Sequence, residues 1–391
     1  MTGDSVQAAR LLIIDDEPQI AEFVRDVAER NGYAAASADS FEAFRRLYSE
    51  FVPNVIVVDL QMPGADGVEL LRYMASQGCR ARIIIISGMD QKVLASTRRL
   101  GREYGLDIVE TLQKPIMLKE LTRILANQDS APELTAADLR DALELGQIVL
   151  RYQPKIELAG AGAPKPAAAE ALVHWQHPEH GLLQPDCVVT LASASGLIGG
   201  LTDYVLRTAI EQMKQWQDAG ARIAVSVNLP PDLIDDLEFP DRLANLLRQF
   251  DVPASQLCIE ITERGAMKHV GRTMDILTRL RLKGIGLSID DFGTGSSSLV
   301  QLFKMPFNEL KIDRSFVMEM IDNPEAATIV RVLIDLAHSL GMRACAEGVE
   351  NQAISDAVAA LGCDTMQGFH YSKSIPPDKL LAMFGRWPTA S

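Results

Sequence analysis

The chain has 391 residues, 47% of them hydrophobic, with 52 acidic against 38 basic side chains and a formal net charge of −14. That is enough apolar chain for two sizeable cores, and the acidic balance argues against a nucleic-acid groove and so against a DNA partner. Five scattered cysteines (Cys79, Cys187, Cys258, Cys345, Cys363) read as reduced thiols of a cytoplasmic protein, Met1–Arg10 lacks the apolar core of a signal peptide, and no apolar run reaches membrane-span length, so no membrane partner is expected.

In chain order, Leu11–Ile14 reads as a buried strand ending in Asp15-Asp16-Glu17-Pro18, and Ile20, Phe23, Val24, Val27 and Ala28 follow at helical spacing. Val55–Val58 ends in Asp59, Ile83–Ile86 ends in Ser87-Gly88, and Leu106–Val109 runs toward Lys114-Pro115. Helical patterns such as Val68, Leu71 and Met74 lie between them. Strands alternating with helices imply a doubly wound parallel sheet with its site at the carboxyl ends of the strands. Asp15, Asp16 and Asp59 would there hold one Mg²⁺, Asp59 would attack a phosphoryl group as a carboxylate nucleophile, and Ser87 and Lys114 would contact the transferred phosphate.

In this order and spacing the set resembles the receiver domain of bacterial response regulators. The resemblance covers residues 1–128 and implies a flavodoxin-like fold, phosphorylation at Asp59 and a cognate sensor histidine kinase as partner. Gln61-Met62-Pro63-Gly64 matches the family's turn, whereas Thr111 stands where the family usually has an aromatic switch residue.

Residues 129–133 read as a polar linker, because a helix interior does not continue through Pro132. A helix is expected from Thr135, with Leu139, Ala142 and Leu143 on one face. From residue 134 to 391 strand-like runs repeatedly end in a polar side chain. Ala167–Ala169 leads to Glu170, Ile223–Val227 to Asn228, and Leu257–Ile259 to Glu260 and then Glu263. Ile285–Ile289 leads to Asp290-Asp291, Leu310 to Lys311, Ala344–Ala346 to Glu347 and Glu350, and Cys363–Met366 to Gln367. Helical runs separate them, including Val205–Trp216 and Ile329–Leu340. About eight β/α units of this size suggest a TIM-like (β/α)₈ barrel, whose site lies at the strands' carboxyl ends. Asp290 and Asp291, on a turn punctuated by Gly293 and Gly295, suit a divalent metal that one carboxylate could share with a second.

Several motifs together resemble the EAL phosphodiesterase domain over essentially all of this second region. They are Tyr152-Gln153-Pro154, Glu170-Ala171-Leu172, Ser226-Val227-Asn228-Leu229, Glu260-Ile261-Thr262-Glu263, Asp290-Asp291-Phe292-Gly293-Thr294-Gly295, Lys311–Val317, Glu347-Gly348-Val349-Glu350 and Gln367-Gly368. The resemblance implies hydrolysis of cyclic di-GMP to pGpG. Glu170, Asn228, Glu260 and Asp290 would bind a first metal, and Asp290 would bridge to a second held by Asp291 and Glu347. Oxygen-only ligation points to Mg²⁺ or Mn²⁺. Lys311 would orient the attacking water or stabilise charge on the phosphate, and Glu350 and Gln367 would support catalysis. Gln153 would contact a guanine, Leu172 and His174 would line the substrate, and Glu263 would anchor the Asp290–Gly295 loop. A homodimer or higher homo-oligomer is implied as well.

Three positions depart from the family. His174 stands where an arginine is usual, which predicts weaker substrate binding, although plain packing is an equal reading. Ser296 replaces an aromatic after the Gly-Thr-Gly turn, and Ser374 replaces a proline. A catalytically weak or inactive EAL domain, acting as a cyclic di-GMP sensor or protein-interaction module, is the alternative. No diguanylate cyclase domain is visible. Phosphorylation of Asp59 is expected to act through the receiver–barrel arrangement on the Asp290–Gly295 loop.

Overall fold

A computed structural model describes residues 9–62, 65–89, 91–126, 134–158, 164–293 and 299–386. The linker 129–133, Pro63-Gly64 and the Thr294-Gly295-Ser296 turn lie outside the described residues. The chain divides into two compact units, Met1–Pro132 and Glu133–Ser391.

The first unit is a parallel sheet of β1 (Arg10–Ile14), β2 (Ala34–Ala38), β3 (Val55–Asp59), β4 (Arg82–Ser87) and β5 (Asp107–Gln113), in the order β2-β1-β3-β4-β5. That is the flavodoxin-like order. The three central strands β1, β3 and β4 are mostly apolar and buried because both faces are covered. Leu12, Ile14, Ile56 and Val58 pack with Phe44, Leu70, Leu71 and Met74 on one side, and Leu11, Ile13, Val55 and Val57 pack with Val24, Val27 and Leu121 on the other. β2, with the sequence Ala-Ala-Ala-Ser-Ala, is the strand the sequence reading does not find. Its residues carry no strand propensity, and its place comes from pairing with β1.

The second unit opens with the helix Ala136–Glu144, capped by a reciprocal Thr135–Asp138 box. Leu139 and Ala142 are fully buried, as their spacing predicts. Eight strands among the described residues then close a barrel. They are β6 (Ile148–Glu157), β7 (Lys165–His177), β8 (Ala224–Asn228), β9 (Leu257–Thr262), β10 (Gly286–Phe292), β11 (Glu309–Ile312), β12 (Arg343–Ala346) and β13 (Thr365–Met366). β7 to β13 run parallel in chain order, and β6 sits between β13 and β7, antiparallel to both. The TIM-like barrel therefore departs from eight repeated β/α units in this one strand. The sequence reading finds the Tyr152-Gln153-Pro154 motif but not the strand that carries it. Pro154 offers no N–H for a ladder, and the register shifts just beyond it, between Lys155 and Ile156.

Strand alternation sorts the two faces of the barrel. On β6, Ile148, Leu150 and Tyr152 are buried in the apolar core, and the Tyr152 ring packs edge-on against Trp216 with centroids 4.8 Å apart. Arg151, Gln153 and Lys155 occupy the opposite face. On β9 and β10 the same alternation leaves Glu260, Ser288 and Asp290 pointing inward, away from Ile259, Leu287 and Ile289. The interior is thus lined by polar side chains at one end, and the site is built there.

Candidate active site

Glu170, buried in the middle of β7, accepts on both carboxylate oxygens. Asn228 Nδ2 donates to Oε1 at 2.7 Å, and Gln367 Nε2 donates to Oε2 at 2.7 Å. Gln367 Nε2 also reaches Gln153 Oε1 at 2.9 Å, and Gln153 Nε2 donates to the Ser372 carbonyl at 3.1 Å. Three strands and the segment after β13 are thereby joined around one carboxylate.

Lys311, 1% exposed at its side chain, stands at the centre. Its Nζ lies 2.7 Å from Glu260 Oε2, 2.7 Å from Glu347 Oε1, 3.1 Å from Asp290 Oδ1 and 3.5 Å from Glu170 Oε2. Burial alone would pull the ammonium's pKa down, but the surrounding carboxylates, Asp290 and Glu170 foremost, hold it well above the ordinary lysine value. Glu260 is equally buried, yet Lys155 and Lys311 outweigh that burial and keep its carboxyl below the usual range. Glu170 and Glu347 go the other way. Burial raises both, and the single shared cation offsets only part of the rise.

Asp290 and Asp291 are neighbours, so a regular strand would send them to opposite faces. The register between β10 and β11 shifts between Ile289 and Phe292, and Asp291 adopts a left-handed backbone with φ 54°. This bulge turns Asp291 back toward the mouth, at the conformational cost of a non-glycine residue in that region. Oxygens of Asp290, Asp291 and Glu347 then lie within 4.8 Å of one another. Asp291 is exposed at the rim, where desolvation and the charges of Asp290 and Asp313 push its carboxyl up to about 6. Glu263, 3% exposed, accepts the Gly293 N–H at 2.9 Å and so ties down the chain just past the two aspartates.

Other expected residues make none of the hydrogen bonds or ion pairs given above for this cluster. Glu350 is exposed and has no partner among the described residues. Leu172 is half-buried on β7, and its carbonyl faces His174 Nδ1 at 3.0 Å. His174 is 2% exposed, with Nε2 3.4 Å from the Ser374 hydroxyl. Burial, with a further contribution from the charge of Arg151, lowers the imidazole pKa and holds the ring neutral. The two departures from the family at His174 and Ser374 are therefore in contact with each other.

The sequence reading misses a second lysine. Lys155, 2% exposed, donates to Glu260 Oε1 at 2.6 Å and Glu309 Oε1 at 2.8 Å, and Ser288 Oγ donates to the same Glu309 oxygen at 3.0 Å. The available signal was phase, since Lys155 lies two residues beyond Gln153 and shares its face of β6.

In the receiver unit, Lys114 Nζ lies 2.8 Å from Asp59 Oδ2, 2.7 Å from Glu17 Oε1 and 3.2 Å from Asp15 Oδ2. Burial lowers the lysine's pKa, and the bonds to Asp59 and Glu17 more than reverse this, leaving it raised. Asp15 is raised, chiefly by burial. The carboxylates gathered here are Asp15, Glu17 and Asp59; Asp16, expected in the set, is not part of it, and Glu17 was not singled out in the sequence. Ser87 is fully buried and its hydroxyl accepts the Met89 N–H at 3.1 Å. Both acidic clusters offer only oxygen donors, the type that hard divalent cations take.

Residues 136–374 match the EAL domain family and residues 11–126 match the response regulator receiver domain. The chain is 29% identical to the cyclic di-GMP phosphodiesterase RocR of Pseudomonas aeruginosa over 95% of this chain and 97% of that protein. It is 41% identical to the bifunctional diguanylate cyclase/cyclic di-GMP phosphodiesterase MucR of the same species over 63% of this chain, but spans only 36% of MucR's length. Among solved structures, a PaMucR phosphodiesterase in complex with c-di-GMP superposes with a TM-score of 0.59 at 40% identity, covering 62% of this chain and 98% of that one. No helix among the described residues is long and apolar enough to cross a membrane. With the barrel, the acidic mouth and these matches together, the chain belongs to the EAL domain family and carries a response regulator receiver domain ahead of its EAL domain.

Proposed function

We propose that the chain hydrolyses cyclic di-GMP to pGpG with the help of divalent cations, under the control of phosphorylation at Asp59. The observation that carries this reading is the convergence of Glu170, Glu260, Asp290 and Glu347 on the Lys311 ammonium at the barrel mouth. Its substrate comes from similarity to phosphodiesterases of that name and to a structure solved with c-di-GMP.

The donor set fits Mg²⁺ or Mn²⁺, because every candidate ligand offers oxygen. Glu170, Asn228, Glu260 and Asp290 would hold one cation, and Asp290, Asp291 and Glu347 a second. Cations so held would acidify a water and brace the oxygens of an in-line displacement. Hydrolysis forms a bond from the water oxygen to phosphorus and breaks the bond from phosphorus to the ribose 3′ oxygen, which leaves as a hydroxyl after gaining a proton. Lys311 supplies a fixed positive charge beside the phosphoryl group. Asn228 and Gln367 hold Glu170 in one orientation, and Gln153, tied to Ser372, presents an amide to a guanine edge. Glu263 keeps the Asp290-Asp291 segment in place through the Gly293 N–H. Glu350, exposed three residues after Glu347, would have a supporting role.

In the receiver unit, Asp15, Asp16 and Asp59 would hold one cation, with Glu17 beside them, and Lys114 would bind the phosphoryl group on Asp59. A cognate histidine kinase would supply that group, and a homodimer is the expected assembly. A second reading, binding without turnover, has the neutral, buried His174 in its favour, since it adds no charge to grip a phosphate.

Removal and replacement of cations tests the proposal. Turnover should vanish after chelation and return with Mg²⁺ or Mn²⁺. Turnover that persists in chelator would exclude this mechanism, and cyclic di-GMP binding without turnover at any cation level would establish the second reading.

A further inference from the structure

We propose that Arg151 is an anion-binding residue of the barrel mouth whose guanidinium pairs with a phosphodiester of the substrate; this rests on the reading of the site as one for cyclic di-GMP.

Three observations lead to it. The first is position. Arg151 pairs across with Leu172 on β7, and Gln153 pairs with Glu170. Arg151 shares the face of β6 that carries Gln153 and Lys155, both of which reach the acidic cluster. Because β6 runs antiparallel to the other strands, its earlier residues lie nearer the open end. Arg151 therefore sits one step above Gln153, about 7 Å along the strand.

The second is orientation. The segment after β13 runs beside β6, joined to it by paired Tyr152–Ile375 hydrogen bonds of 2.8 and 2.9 Å. Its carbonyls pin the side chains above the site: Ser372 accepts from Gln153 Nε2, and Ser374 accepts from Arg151 Nε at 3.1 Å. A guanidinium held by Nε keeps its outer pair of nitrogens fixed in plane, the geometry that grips two phosphate oxygens at once. No carboxylate among the described residues pairs with it, and the residue is only half-buried.

The third is charge. Lys311 and Lys155 spend their ammonium groups on Glu170, Glu260, Asp290, Glu347 and Glu309. His174, beside Arg151 on the neighbouring strand, stays neutral. A cyclic dinucleotide carries two phosphodiester anions into a mouth lined with carboxylates. Arg151 is a permanent cation set beside that mouth, with donors to spare.

The test is steady-state turnover of cyclic di-GMP by the full chain, its Arg151→Gln variant and its Arg151→Lys variant, across a range of ionic strength. Arg151→Gln should raise KM by about tenfold to a hundredfold, the span of a lost charged hydrogen bond, and leave kcat within about threefold. The dependence of KM on salt should become shallower in Arg151→Gln and stay unchanged in Arg151→Lys, since only the former loses the charge. Loss of a merely structural bond to Ser374 would raise KM in both variants without altering the salt dependence, and would overturn the proposal. An unchanged KM in Arg151→Gln would overturn it as well and leave the phosphodiesterase reading standing. If the unsubstituted chain binds without turnover, equilibrium affinity replaces KM with the same expectations. If it neither binds nor turns over cyclic di-GMP, the reading of the site fails and the proposal falls with it.

Discussion

At the scale of single residues, the site is a problem in charge balance. Lys311, nearly fully buried, faces four carboxylates, so its removal strands like charges against one another. Lys311→Met should cost the cation-free fold about 3–5 kcal/mol, the range for breaking a buried ion pair, and added Mg²⁺ should recover part of it. Thermal melts with and without cation check this, and an equal loss in both conditions would contradict it. Asp291 gives a pH signature. Its carboxyl is raised from 3.8 to about 6, so in the cation-free chain it contributes stability that is complete below the ordinary value and lost as the pH climbs through about 6. The melting temperature of the chelated chain should fall across that window, and Asp291→Asn should make the fall shallower. Glu170, Asp290, Lys311 and Glu347 were legible in the sequence as polar residues after apolar runs. Lys155 was not, because it lies within a strand whose central proline hides it, and Glu17, next to Asp15 and Asp16, was not singled out because adjacent carboxylates cannot be told apart without a backbone.

At the scale of elements, the bulge in β10 matters most, for it lets two consecutive aspartates serve one mouth. The chain leaves the bulge through Gly293, at φ 102°, where an added Cβ would lie 2.9 Å from the Phe316 ring. Gly293→Ala should destabilise the fold by about 1–3 kcal/mol, the cost of a side chain in that backbone region. Glu263→Ala leaves the Gly293 N–H without its acceptor. It should weaken cation binding and turnover more than it lowers the melting temperature; a variant with wild-type cation affinity would show that the anchor is dispensable. The sequence placed most strands and the start of the helix near Thr135 because both follow local patterns. It missed β2 and the reversed β6, since one is alanine-rich and the direction of the other is set only by its barrel neighbours.

At the scale of the whole molecule, two units each place polar residues at the carboxyl ends of parallel strands, and each gathers an acidic cluster around a lysine. Asp59 is 1% exposed and lies 2.8 Å from Lys114 Nζ, so a phosphoryl group added there would alter that ion pair. Treatment with a small-molecule phosphoryl donor should change the rate of cyclic di-GMP turnover, and Asp59→Asn should abolish the change. Rates that respond equally in both proteins would remove Asp59 from the regulation. The central claim is hydrolysis at the barrel mouth, and product analysis addresses it most directly. The purified chain, incubated with cyclic di-GMP and Mg²⁺, should yield pGpG, and Glu170→Gln, which leaves the fold and the Lys311 ammonium in place, should yield essentially none. Intact cyclic di-GMP with the unsubstituted chain, or equal pGpG from both proteins, would contradict the account.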